Sequence, residues 1–315
     1  MGLTIGVDVG GTKVAGEVID KDGKILASER HDTPARSVEA VIETIASVIR
    51  KLREEHEVEA VGIGMPGFVD QTRSRVLVAP NLRGWKNQPL REQMEASTGL
   101  PVVIENDANA AAWAEVAFGA GRGAQDVVCV TVGTGVGGGI IIGGRLQRGG
   151  FGVAAEIGHI ELVPDGRLCG CGQRGCWEQY ASGNALVRDA RERASEDRFA
   201  AADMLALGDG TPEGIKGEHV TAAAKAGDPV ALAAFAELGW HLAEGMADLA
   251  AILDPGLFVL GGGVSEAGDV LLTPVRVNYV EQLTGGFARP IAPVHVAELG
   301  NAAGVVGVAD LARRR

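Results

Sequence analysis

His159, Cys169, Cys171 and Cys176 are spaced His-x9-Cys-x-Cys-x4-Cys. One imidazole and three thiols in a short stretch supply the four nitrogen and sulfur ligands that zinc takes in a closed, structural, tetrahedral site. Gly170, Gly172 and Gly175 give the chain the freedom to turn its thiolates inward. Buried free thiols or a redox pair are the competing readings, and neither uses the histidine or the ligand count. Cys129 stands in an apolar run and reads as core. Glu156 and Glu178 flank the cluster. Each is either a surface charge or a carboxylate able to bond ligand hydroxyls beside His159.

A second group is Glu105-Asn106-Asp107-Ala108-Asn109, between an apolar run and an alanine-rich one. Ligand sites in open α/β sheets gather outside the carboxyl ends of strands. An aspartate there can take a proton from a substrate hydroxyl, as phosphoryl transfer to an alcohol requires. Asn106 can both donate to and accept from hydroxyls. Asp107 as a plain helix cap is an equal alternative on this fragment alone.

Three apolar runs end in glycine turns, at Asp8 to Lys13, Gly133 to Gly139 and Gly261 to Gly263. Glycine lets backbone N–H groups approach phosphate oxygens closely. Thr12 and Thr134 add hydroxyls, and Asp8 is a hard oxygen ligand for magnesium or its waters. A single such turn is most often only a tight hairpin, but three in series point to a triphosphate. None fits the Walker A loop or the dinucleotide fingerprint, so a P-loop enzyme is disfavoured.

Composition narrows the class. Glycine makes up 47 of 315 residues, about 15%, against an average of about 7%. The formal net charge of −12 argues against a general nucleic-acid binder. No apolar run is long enough to span a membrane, and the first residues lack the pattern of a signal peptide. Cysteines grouped for metal and not for disulfides fit a reducing, cytoplasmic location.

The elements that must hold these groups can be read in order. Leu3 to Val9, Lys13 to Asp20 and Ile25 to Glu29 form consecutive hairpins. Ser37 caps a helix with apolar positions at Val38, Val41, Ile42, Ile45, Val48, Ile49 and Leu52. Ala60 to Met65 and Val102 to Glu105 are buried strands, and Asp107 opens a helix. A second round starts at Val127 to Val132, turns at Gly133 to Gly139 and returns at Ile140 to Ile142. Ala222 to Leu253 is helical with a break at Gly227-Asp228-Pro229, Leu257 to Leu260 is a strand, and Ala302 to Arg313 is a closing helix. The repeated turn within a hairpin predicts an internal duplication, with two similar lobes and a cleft between them.

These segments resemble the ROK family (repressors, open reading frames and kinases) of the actin-like sugar kinase superfamily. The resemblance rests on Asp8-Val9-Gly10-Gly11-Thr12-Lys13, Glu105 to Asn109, Gly133 to Gly139, Glu156-Ile157-Gly158-His159, Cys169 to Glu178 and Leu260 to Ser265. They span nearly the whole chain in the family's order, and the cysteine segment is the most specific of them.

The resemblance implies an α/β fold of two ribonuclease-H-like lobes with a central cleft. Residues 1–107, completed by a helix over 302–315, would form the small lobe, and 108–301 the large one with the zinc loop. It implies ATP-dependent phosphorylation of glucose, as in the family's bacterial glucokinases, with Asp107 as general base. Gly67, Asn106, Glu156, His159 and Glu178 would hold the sugar. Asp8, Gly10, Gly11, Thr12, Lys13, Gly133, Thr134, Gly135, Gly262 and Gly263 would serve ATP and Mg2+. His159 would give one ring nitrogen to zinc and the other to the sugar. A homodimer or homotetramer is implied as well. The family also contains kinases for fructose, mannose and N-acetylhexosamines, kinases that use polyphosphate, and sugar-responsive repressors. A repressor carries a helix-turn-helix ahead of the first phosphate turn, and here that turn begins at Asp8. A sugar-binding protein that has lost catalysis is disfavoured by the presence of Asp107 and all three turns.

Overall fold

The structure is a computed structural model and describes every residue except Met1, Ala35, Arg36, Asn81 and Phe287. The chain opens with β1 (Leu3–Val9), β2 (Lys13–Ile19) and β3 (Ile25–Asp32), then α1 (Val38–Arg53) and β4 (Val58–Met65). A small antiparallel sheet follows, of β5 (Phe68–Val69), β6 (Val76–Val78) and β7 (Lys86–Gln88). Then come α2 (Leu90–Thr98), β8 (Val102–Asn106) and α3 (Asp107–Phe118). The second round holds β9 (Val127–Val132), β10 (Val136–Ile142) and β11 (Arg145–Leu146). Its helices are α4 (Glu178–Ala181), α5 (Gly183–Glu196), α6 (Ala202–Ala206), α7 (Gly217–Ala226) and α8 (Pro229–Leu253). It closes with β12 (Leu257–Gly261), α9 (Asp269–Gln282), β13 (Val294–Val296) and α10 (Ala303–Arg313).

The two large sheets have the same plan. The first runs β3-β2-β1-β4-β8 and the second β11-β10-β9-β12-β13. In the first, β1–β2 and β2–β3 are antiparallel, while β1–β4 and β4–β8 are parallel. In each sheet the last parallel strand feeds a helix, α3 after β8 and α10 after β13. The hairpin at Asp8 and that at Thr131 are therefore equivalent positions in a duplicated unit, as the repeated turn implies.

The chain folds as two units. One comprises residues 1–127, 139–155 and 298–315, the other 128–138 and 156–297. The first unit runs beyond the expected boundary at Asp107 because α3 packs along α10. A Cβ at Gly307 would overlap the carbonyl of Ala110, so the two helices touch backbone to backbone. On its other side α10 lies against the sheet, where a Cβ at Gly62 would overlap the Val308 carbonyl. Ile5, Val7, Ile45, Ile49, Ile63 and Met65 form part of the core beneath α1 and α2. In the second unit Trp177, Phe235, Phe258 and Tyr279 are buried, the last two edge to face with centroids 5.5 Å apart.

Local chemistry explains the boundaries. Ser37 Oγ accepts from Ala40 N at 3.1 Å, and basic Arg50, Lys51 and Arg53 fill the last turn of α1. The break before α8 has three parts: Gly227 in the left-handed region, Asp228 capping Ala231 N at 2.8 Å, and Pro229 at the first helical position. One boundary differs from expectation. The glycine turn ends at Gly135, and Gly137 to Gly139 lie within β10. Ala112 of α3 occupies the space that a Cβ at Gly139 would need, so that glycine serves helix packing and not a turn.

Candidate active site

In the first unit the chemistry gathers where β8 passes into α3. Asn106 is the helix cap: its Oδ1 accepts from Asn109 N at 3.0 Å. Its Nδ2 donates to Gly67 O at 3.1 Å, which ties the β4–β5 turn to the helix start. Asn106 thus spends its carbonyl and one amide hydrogen on protein, leaving one N–H toward any ligand. With the cap supplied by Asn106, Asp107 is the first residue of α3, and its Oδ1 accepts from Ala108 N at 2.8 Å. A carboxylate at that place meets the positive end of the helix.

Beneath it lies Glu105, only 2% exposed, with Oε2 on Arg148 Nε at 2.7 Å. Gly67 has φ 115°, and a Cβ there would strike the Val78 carbonyl, so glycine is required both by conformation and by space.

The Asp8 turn belongs to the same unit. Gly10 N donates to Lys13 O at 2.8 Å, while Thr33 Oγ1 donates to Gly10 O at 2.7 Å and Thr33 N to Thr12 O at 2.9 Å. Gly11, Thr12 and Lys13 are exposed. Burial pushes the Asp8 carboxyl above its usual range, against the pull of Lys13. Thr33 carries no motif and was invisible to sequence reasoning, although it braces this turn.

In the second unit Gly133, Thr134 and Gly263 line a cavity of about 750 Å3. Its walls come from α5 and α7: Asn184, Leu186 and Val187 from one, Glu218, Thr221, Ala222 and Lys225 from the other. The backbone around it is tightly tied. Gly183 N, at the start of α5, donates to Gly133 O at 2.7 Å, and Ser265 Oγ donates to Gly262 O at 2.7 Å. Gly262 has φ 84° and lies directly on Val132. The helix residues lining this cavity have no distinctive spacing, so only the glycine turns among its walls were legible in sequence.

The metal-type cluster is also in the second unit. One ligand atom from each of His159, Cys169, Cys171 and Cys176 lies within 4.8 Å of the others. Cys171 Sγ and Cys176 Sγ are 3.6 Å apart, and His159 Nδ1 is 3.6 Å from Cys169 Sγ. Tetrahedral zinc with bonds of about 2.3 Å to sulfur and about 2.0 Å to nitrogen demands about 3.8 and 3.5 Å for these separations. These two separations and the nitrogen and sulfur donor set fit the ion. Gly172 and Gly175, with φ 95° and 73°, make the turns that bring the sulfurs together.

Burial pushes the Cys169 thiol up to about 12 and raises Cys176, while a hydrogen bond from the Gln173 backbone lowers Cys171. Glu178 adjoins the cluster, with Oε1 3.0 Å from Cys169 Sγ and 3.8 Å from His159 Nδ1. Glu156 sits at the start of the turn that carries His159, and burial raises its carboxyl above the usual range. Cys129 is buried in β9.

The profile of the ROK family matches residues 4–315. The chain is 56% identical over 313 residues to a glucokinase of Streptomyces coelicolor, covering 99% of this chain and 98% of that protein. It is 38% identical over 312 residues to a glucokinase of Thermotoga maritima, covering 99% and 97%. A crystal structure of a ROK family glucokinase from Streptomyces griseus, in complex with glucose and AMPPNP, superposes with a TM-score of 0.90 at 54% identity, covering all of both chains.

Proposed function

The chain belongs to the ROK family, and from that premise we propose that it is a glucokinase, transferring the γ-phosphoryl group of ATP to the 6-hydroxyl of D-glucose. Glucose 6-phosphate and ADP are the products. The observation that carries the chemistry is Asp107 at the first position of α3, with Asn106 as the cap.

Asp107 accepts the proton of the 6-hydroxyl as its oxygen attacks phosphorus. The proton ends on the carboxylate, and the electron pair of the breaking bond leaves with ADP. Phosphoryl transfer asks the protein mainly for positioning. Asn106 uses its remaining N–H, and Gly67 its backbone, on sugar hydroxyls. Glu156 and Glu178 accept from the others, and the Nε2–H of His159 donates.

ATP enters with magnesium, which neutralises the triphosphate. The cavity lined by Asn184, Val187, Thr221 and Val264 takes the nucleoside, and Gly133, Thr134 and Gly263 of its lining take the phosphates, with Gly262 beside them. Asp8 and the turn from Gly10 to Lys13, in the first unit, would serve phosphate and magnesium. His159 Nδ1, Cys169, Cys171 and Cys176 would hold a structural zinc, and a His159 ring bound through Nδ1 would carry its proton on Nε2, toward the sugar. The same reading includes a cytoplasmic location and a homodimer or homotetramer.

Its test is a coupled assay of the purified protein with a panel of hexoses and with ATP or polyphosphate as donor. Glucose with ATP and Mg2+ is expected to give the highest kcat/KM. Preference for mannose, fructose or an N-acetylhexosamine would replace glucose in this assignment, and no turnover with any pair would end it.

A further inference from the structure

We propose that Gly135 is a positioning residue for the sugar: its missing side chain makes the space in which the Glu178 carboxylate lies. This rests on the reading of Glu178 as a sugar contact. Within the turn 133–135, Gly133 and Thr134 line the nucleotide cavity and Gly135, which the resemblance assigns to ATP, does not, so it is given to the sugar instead. A Cβ at Gly133 would meet nothing within 4 Å, whereas at Gly135 it would collide with Glu178 Oε2. The φ of Gly135 is not positive, so no left-handed conformation calls for glycine there. The carboxylate is what a Cβ would meet within 4 Å.

The carboxylate lies against Gly135, with Oε2 in the place a Cβ there would take. The backbone of Glu178 is anchored separately. The preceding Trp177 is fully buried, and its Nε1 donates to His241 O at 2.7 Å. A methyl group at 135 thus strikes the end of a flexible side chain, not a rigid wall. It displaces the Glu178 carboxylate and leaves the fold in place. The turn that presents Thr134 to the nucleotide and the carboxylate that holds the sugar share one contact, and Gly135 is that contact.

The test is Gly135→Ala in the full chain, with KM measured for glucose and for ATP, and glucose affinity by calorimetry without nucleotide. Loss of a hydrogen bond to a charged group predicts a rise of about 10- to 100-fold in glucose KM and Kd, with KM for ATP unchanged. A rise in KM for ATP with glucose binding intact overturns the proposal. Glu178→Ala and the double variant complete a cycle. With the carboxylate gone the added methyl meets nothing, so the double variant is expected to match Glu178→Ala in glucose KM. A further rise in the double variant overturns the proposal, as does its failure to fold when Glu178→Ala folds. If Gly135→Ala alone does not fold, this pair of variants still decides. If Glu178→Ala leaves glucose KM unchanged, the sugar role of Glu178 falls and this assignment with it. If only Gly135→Ala leaves it unchanged, Glu178 keeps its role and the assignment of Gly135 alone is lost.

Discussion

Arg148 Nε lies 2.7 Å from Glu105 Oε2, and through Glu105 it reaches the turn that presents Asp107. The other oxygen, Oε1, accepts from Asn106 N at 3.2 Å and from Asn109 Nδ2 at 3.4 Å. One buried carboxylate thus joins the end of β8, the first turn of α3 and the segment after β11. The segment is held again at Gly152, where a Cβ would run into the backbone of Val69 to Gln71. Arg148 Nη2 is buried without a hydrogen-bond partner among the described residues, and the Arg148 charge joins burial in lowering the Arg73 pKa. Glu105 is accordingly the anchor that keeps Arg148 in place.

Removing one partner of a buried ion pair strands the other. Arg148→Ala leaves Glu105 buried with only the charge of Arg73 acting on it, at a cost of up to about 3–5 kcal/mol. The check is denaturant unfolding of the variant beside Arg148→Lys, which keeps the charge and is expected to lose less. Equal stability of the wild-type and Arg148→Ala proteins would show that the pair is not needed.

The metal cluster predicts about one zinc per chain. Metal analysis of the purified protein measures this. Chelation, or Cys171→Ser, is expected to lower the unfolding temperature and weaken glucose binding together, because the ligands hold both the loop and the His159 ring. Zinc-free protein with unaltered stability and glucose affinity would contradict the assignment.

Glu17 gives a pH prediction. It is 6% exposed, its Oε2 has no hydrogen-bond partner among the described residues, and burial raises its carboxyl above the usual range. Arg30 and Ser28 oppose that rise, and Asp8 adds to it. A carboxyl whose folded-state pKa is raised contributes stability at low pH, and that contribution is lost as pH rises through the raised value. Glu17→Gln is therefore expected to unfold at higher urea than wild type at pH 7, with the difference vanishing near the ordinary carboxylate pKa of about 4.3. A variant less stable than wild type at pH 7 would show that the ionised form is favoured.

Much of this was legible in the sequence because its signals are local. The cap at Ser37, the Gly227-Asp228-Pro229 break and the spacing of His159, Cys169, Cys171 and Cys176 each act within a few residues, where chain geometry follows from residue type. The duplicated hairpins were legible because the same turn recurs. The rest depends on contacts between residues distant in sequence. Neither Arg148 nor Thr33 carries a motif, and the cavity walls from α5 and α7 are ordinary helix surface until folding faces them inward. Asp107 stood as either cap or base, and it took the hydrogen bond from Asn109 N to Asn106 Oδ1 to assign the cap. Gly139 misled for the same reason: a strand pressed by Ala112 and a tight turn both call for glycine.

The most direct test of the account is turnover by Asp107→Asn with saturating glucose, ATP and Mg2+. The variant keeps size and shape and loses only the ability to take a proton. General-base loss predicts a fall in kcat of about 10^2- to 10^4-fold, with calorimetric glucose affinity and unfolding temperature close to wild type. A kcat near that of the wild-type protein would contradict the central claim that Asp107 accepts the proton of the attacking hydroxyl.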